Sequence, residues 1–417
     1  MFSAKTYTAR RHELRTKIGS GIILLPGNSL SPNNYPNNAY YFRQDSSFRY
    51  YFGLNVPSVV GVIDADTGEE ALYGDDFTVE DIIWTGPQPT LREMGAGAGV
   101  TATFPMAELE KRLRRAISLG RRVHYLPPYR GETKLQLSAL LGIKPALLHD
   151  YKSVDLMFAV AEMREKKSAE EVEEMERAFR IGYEMHTTAM RMCRPGVVER
   201  QIAGAIEGVA KSRGQGVSFP SIVSQHGETL HNLNADGVLK EGRLLLCDAG
   251  GETVEGYCSD HTRTYPVSGR FTQKQKDIYN IVLAAHDHVA RIVKPHMMYT
   301  EVHNAAYMTL AEGLVGLGHG LGMDVHDCEA MPIWPASCAT PPLPPWSVWW
   351  PCARRSDPTS LFWPETSTTM RTSVCAPKLP CATPASAWGV WVFPFFWPTA
   401  TTIPCPPGSA LCAGRTT

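Results

Sequence analysis

Nowhere in this 417-residue chain do eighteen apolar residues run together, which excludes a membrane-spanning helix of the usual length, about 20 residues. An excess of charge of one sign is also missing. With 41 basic against 42 acidic side chains the net charge is -1, so no electrostatic footprint for nucleic acid or an anionic membrane exists, and neither partner is expected. No Cys-x-x-Cys pair occurs, so a thiolate zinc site is not expected. Of ten cysteines, Cys193, Cys247, Cys258 and Cys328 are irregularly spaced and the other six lie beyond residue 330; thiols in a reducing compartment fit this better than a disulfide framework. The segment MFSAKTYTARRHELRTKI has no apolar core of signal-peptide length, and a cytoplasmic location is expected.

Acidic residues are the scarcest class in one region. Beyond residue 330 there are two, Asp357 and Glu365, beside 17 of the 31 prolines and 8 of the 9 tryptophans. A proline about every five residues removes ladder donors at the length of a typical strand, so a sheet is not expected there. Stretches such as WSVWWPC are too apolar for a solvated linker. We read residues 330–417 as an aberrant, unstructured tail, with the composition of an out-of-frame or mis-spliced translation.

What is present suggests two domains before that tail. Residues 1–152 alternate helical patterns (Tyr7 to Ile18) with short apolar runs (Gly21 to Leu25, Val59 to Ile63, Val123 to Leu126), the texture of an α/β domain. Gly95, Gly97 and Gly99 lack the spacing of a dinucleotide loop and read as a flexible loop. From residue 153 to 329 the texture changes. A long amphipathic helix is opened by a capping box at Ser168 and Glu171, with Val172, Met175, Phe179, Met185 and Met192 as its core face, and ends at Pro195 and Gly196. A second helix covers Val198 to Lys211. The plan returns about one hundred residues later, with helices over Gln273 to Val293 and Tyr299 to Leu314, so MCRPGVVERQIAGAIEGVA is echoed by IVKPHMMYTEVHNAAYMTLAEG. This pattern suggests a duplicated helix-helix-sheet unit.

Chemistry concentrates on LLLCDAGGETVEGYCSDHTRTYPV. A hairpin turning near Val254 would set Asp248 and Asp260 directly opposite each other on neighbouring strands. The apolar run before Asp248 reads as a buried strand, and facing like charges in a poorly solvated place destabilise a sheet unless a cation joins them. Oxygen ligands suit manganese, magnesium or calcium; added imidazole moves the choice toward manganese, cobalt or zinc. His319, between two glycine pairs in GLGHGLGMDVHD, is a metal candidate, although a lone histidine is usually a satisfied core residue. His231 in ETLHNLNAD and His326 in DVHD are further polar candidates, and Arg263 and Thr262 would orient the carboxylate from behind.

These blocks together resemble the Xaa-Pro aminopeptidases (aminopeptidase P) of the pita-bread metallopeptidase family. RQDSSFRYYFGLNVPSVVGVI is similar to the family's N-terminal domain; MREKKSAEEVEEMERAF, FPSIVSQHGETLH, LLLCDAG, YCSDHTRTYPVSGRFT and GLGHGLGMDVHD are similar to successive blocks of its catalytic domain. The resemblance implies an α/β N-terminal domain and an α+β pita-bread domain with a duplicated helix-helix-antiparallel sheet. It also implies a dinuclear site, usually manganese, with Asp248 as a terminal ligand, Asp260 bridging and His319 on the other metal, while His231 and His326 contact the substrate or stabilise the reacting carbonyl oxygen. The expected substrate is a peptide with proline second, and a homo-oligomer is common in the family. Two departures stand out. Val315 occupies the place of the histidine that opens the glycine-histidine block, and the two glutamate ligands of later strands have no counterpart in the tail, which leaves the second half of the sheet incomplete and makes activity doubtful.

Overall fold

A computed structural model describes residues 1–316 apart from Leu233. Expectations about His319, His326 and the tail fall outside the described residues. The described residues form two compact units, Met1–Arg177 with Thr253–Tyr257, and Ala178–Glu252 with the described residues from Cys258 onward.

The first unit runs α1 (Ala4–Ile18), β1 (Ile22–Pro26), β2 (Pro32–Tyr35), β3 (Asn38–Ala39), α2 (Ser46–Phe52), β4 (Val60–Asp64), β5 (Glu70–Tyr73), α3 (Val79–Thr85), α4 (Leu91–Gly97), β6 (Ala102–Phe104), α5 (Met106–Ser118), β7 (Val123–His124), α6 (Gly131–Leu141) and α7 (Val154–Glu165). Five strands form one sheet in the order β6-β5-β4-β1-β7. β1 pairs antiparallel with β4 and parallel with β7. The unbroken apolar run of β1 is explained by burial on both faces: Ile23 and Leu25 join Leu14, Phe48, Phe52 and Leu156 in one core, while Ile22 and Leu24 join Leu109, Leu113 and Leu137 in the other. Helices therefore cover the sheet on both sides, as the α/β reading requires.

Two expectations fail here. Gly95 and Gly97 lie in a helix, α4, because Thr90 and Glu93 close a capping box and Leu91 is buried, which outweighs the weak helix propensity of glycine. The change of texture near residue 153 is not where the first unit ends, because α7 buries Leu156, Ala159, Val160 and Met163 in the first unit's own core.

The second region begins with α8 (Ala169–Met192), α9 (Glu199–Arg213), β8 (Gly216–Val217), β9 (Ile222–Ser224), β10 (Leu244–Ala249), β11 (Gly251–Glu252) and β12 (His261–Pro266), followed by α10 (Gln273–Ile292) and α11 (Tyr299–Gly316). The capping box is present, with Glu171 Oε2 accepting from Ser168 N at 2.9 Å and Ser168 Oγ from Glu171 N at 3.3 Å. The core face of α8 is only partly the one expected: Met185 is buried and Met192 packs against the core, but Val172 and Phe179 are exposed, and Ala178, Ile181 and Ala189 are buried instead. In the second unit Ile181, Met185, Ile202 and Ile206 pack with Leu245, Cys247 and Tyr265 of the sheet ordered β12-β10-β9.

The duplication is visible in detail. α9 and α11 begin 100 residues apart, at Glu199 and Tyr299, and bury matching positions, Ile202, Ile206 and Ala210 against Val302, Ala306 and Leu310. Each is preceded by a proline and then a left-handed residue, Gly196 at φ 88° and His296 at φ 67°. α11 continues through Val315 to Gly316; the strands expected after it lie outside the described residues.

Candidate metal centre

β10 carries Asp248 because the apolar Leu244–Cys247 run is drawn into the sheet, and β12 lies beside it antiparallel. The alignment differs from a directly facing aspartate pair. Asp248 faces Thr262, and Ala249 faces His261, so Asp260 comes one residue before the last paired position, diagonal to Asp248. The turn is the cause: Thr253 N donates to Tyr257 O at 2.9 Å and Gly256 N to Thr253 O at 2.9 Å, which centres it on Glu255. A one-residue shift of the turn moves every partner by two, and a shift by two keeps both aspartates on one face of the sheet. Tyr257 also donates from its hydroxyl to Glu171 Oε1 at 2.9 Å, and Arg49 donates to the Val254 carbonyl.

The electrostatics of Asp248 are those of an unsatisfied anion. Its Oδ1 is buried with no hydrogen-bond partner. Burial, above all, pushes its carboxyl up to about 6; a hydrogen bond from the Thr262 side chain pulls it back, the Asp260 carboxylate pushes it further up, and His231 pulls it down. Asp260 is exposed, so only one of the two carboxylates occupies the poorly solvated place expected for both. The donor set, an orphaned hard oxygen with a second carboxylate and an imidazole within electrostatic reach, fits a divalent cation. Among the described residues no three histidine, cysteine, aspartate or glutamate side chains converge as a cation-holding group.

The remaining candidates divide. Thr262 is buried, and its side chain hydrogen-bonds Asp248. Arg263 alternates onto the opposite face, is exposed, and donates to the Thr262 carbonyl at 2.7 Å; it braces the strand without touching the carboxylate face. His231 is exposed in the loop between β9 and β10, where its neighbour Asn232 donates through Nδ2 to Ser224 Oγ at 3.0 Å.

Residues not singled out from the sequence stand behind the pair. His186 on α8 bonds through Nδ1 with the Tyr265 hydroxyl at 2.6 Å and through Nε2 with the Ala249 carbonyl at 3.2 Å. A histidine inside the apolar stripe of Ala178, Ile181, Met185 and Ala189 was the available signal. Cys247, fully buried, has its thiol pushed up to about 12, by burial first and by Asp248 second.

Residues 7–124 match the model for the aminopeptidase P N-terminal domain, and residues 173–349 match that for metallopeptidase family M24. The Xaa-Pro aminopeptidase of Escherichia coli K12 is 30% identical over 372 residues, spanning 78% of this chain and 81% of its own. This chain belongs to the Xaa-Pro aminopeptidase family. Xaa-Pro aminopeptidase 1 of Streptomyces coelicolor is 28% identical over 371 residues, 77% of this chain and 71% of its own. Among solved structures, Pseudomonas aeruginosa aminopeptidase PepP superposes with a TM-score of 0.68 at 27% identity, covering 79% of this chain and 76% of its own. Zinc-substituted E. coli aminopeptidase P in complex with product gives 0.67 at 28%, covering 78% and 76%. The α/β N-terminal domain and the M24 pita-bread domain are thus those of the Xaa-Pro aminopeptidases, and the family's members are hydrolytic metalloenzymes.

Proposed function

We propose that this chain hydrolyses the bond between an N-terminal residue and a following proline, with a divalent cation held at Asp248 and Asp260. The observation that carries the reading is the buried, unpartnered Oδ1 of Asp248 beside a second carboxylate on the same sheet face. Manganese is the first assignment, from hard oxygen donors with imidazole supplied by His319. Once bound, such an ion supplies Lewis acidity to the scissile carbonyl and acidity to a water molecule. The chain's own residues do the rest: Thr262 fixes the Asp248 carboxylate in one orientation, while His231 and His326 contact the substrate or stabilise the reacting carbonyl oxygen. Location in the cytoplasm agrees with Cys193, Cys247 and Cys258 being outside any disulfide.

Charge balance sets the expected level of activity. Two divalent ions carry four positive charges, two aspartates offset two, and beyond residue 330 only Asp357 and Glu365 are acidic. We therefore assign one weakly held ion and slow turnover. The same scarcity favours a second reading, a peptide-binding protein or inactive fragment without turnover. Metal analysis of the purified chain beside an assay on Gly-Pro and Arg-Pro-Pro peptides separates them. One ion or fewer per chain with slow release of the first residue is expected. Binding of peptide with neither metal nor cleavage selects the second reading, and two ions with rapid turnover would sink the charge argument.

A further inference from the structure

The residue that follows each aspartate is gripped by the same helix. After Asp248 comes Ala249, whose carbonyl accepts from His186 Nε2 at 3.2 Å. After Asp260 comes His261, whose ring lies against α8 at Gly182. A Cβ added there would stand 2.6 Å from His261 Nδ1 and 2.9 Å from both His261 Cε1 and Ser259 Oγ, so only glycine admits the ring this close. The Phe179 ring is 5.4 Å from that of His261, and the His186 ring is 6.0 Å from it. Ala249 and His261 are also the last regular pair of the β10–β12 ladder. Beyond them the ladder is interrupted at Gly250 and Asp260 and then resumes, with Ser259 N donating to Gly251 O at 3.0 Å and Glu252 bridging Cys258, so Asp260 lies in the interruption.

The tautomer of His186 follows from its partners. A carbonyl only accepts, so Nε2 carries the proton, and the neutral ring's Nδ1 accepts from the Tyr265 hydroxyl at 2.6 Å. Burial, the largest influence on His186, favours this neutral form. His186 is 5% exposed. One ring thus ties β10, at the residue beside Asp248, to β12, at Tyr265, from the face opposite the carboxylates.

We propose that His186 and Gly182 of α8 are positioning residues that set the separation of the Asp248 and Asp260 carboxylates, and so the affinity of the cation site. This rests on the metal-site reading above. A buried strut beside an interruption in the ladder limits how far the two strands shift there, and groups that orient metal ligands from behind typically matter by about 10 to 100-fold in affinity.

The test uses the full chain and Mn2+ titrated calorimetrically, with hydrogen exchange read over residues 244–266 and a thermal melt alongside. His186→Leu, which loses the donor to Ala249, is expected to weaken Mn2+ binding about 10 to 100-fold and to speed exchange at 248–262 while other protected segments stay unchanged. His186→Gln, whose amide N–H can still reach the Ala249 carbonyl, is expected to restore binding to within a few-fold. Gly182→Ala improves helix propensity, yet is expected to weaken binding because His261 must move. Loss of melting temperature without change in affinity per folded chain, or equal losses in the Leu and Gln variants, overturns the proposal. Asp248→Asn separates the two readings. If it leaves Mn2+ binding intact, or if the unsubstituted chain binds none, the metal-site reading fails, and unchanged local exchange in His186→Leu then overturns the positioning role on its own.

Discussion

At Asp248 a local electrostatic cost runs against stability. Its carboxyl is raised to about 6 in the folded chain, above an unfolded value of about 3.9. Between those pH values the folded state binds the extra proton, so stability is greatest at the acid end and falls as pH rises through the folded value. The side chain is partly solvated, and screening reduces the full linkage to on the order of 1–2 kcal/mol. Asp248→Asn is therefore expected to stabilise the EDTA-treated chain by about that amount at pH 7 and to leave it unchanged near pH 4, as read by denaturant melts. Added Mn2+ should raise the melt of the native chain and leave that of the variant unmoved. Equal stability of the two chains at pH 7 would contradict this account. The pair itself was legible in the sequence, because an apolar run ending in aspartate and a second aspartate on the return strand leave little choice of face. Its alignment was not, since VEG and its neighbours offer turns centred on either Val254 or Glu255, and only the bonds at Thr253, Gly256 and Tyr257 decide between them.

Helices and strands were legible wherever pattern and punctuation agreed. The 100-residue echo fixed α9 and α11, whose buried residues match position for position. The core face of α8 was legible only in part, because Val172 and Phe179 lie on the exposed side while the buried side interleaves Ile181 and Met185 with Ala178, Ala189 and His186; hydrophobic size misleads where close packing selects alanine and glycine. The repeated turn allows a paired test. Gly196 is left-handed with no atom within 4 Å of an added Cβ, so Gly196→Ala should destabilise by about 1 kcal/mol through backbone strain alone. His296 holds the same conformation without glycine's freedom, and His296→Gly should stabilise by up to about 1 kcal/mol. Thermal melts of both variants check the signs, and a loss on His296→Gly would show that its side chain makes a compensating contact.

Across the whole molecule, the two helix pairs differ in what covers them. α8 and α9 pack on strands of the second unit. α10 and α11 pack on each other, with Gly313 close against Ile281, and among the described residues no strand follows them. Leu283, Tyr307, Met308 and Val315 remain exposed. Apolar surface of this kind favours association, so sedimentation should show concentration-dependent oligomers together with binding of a hydrophobic dye. A monodisperse monomer without dye binding would contradict it. The boundary between the units was the least legible feature of the fold, since composition changes near residue 153 whereas α7 belongs by its packing to what precedes it.

Cys247 adjoins Asp248 and is sealed in the core with a thiol that scarcely ionises at neutral pH. Attack by peroxide or an alkylating agent needs a thiolate and a path to it. The strand that bears the carboxylate is thereby spared chemical ageing for as long as it stays folded, and oxidative wear on this protein begins at its surface.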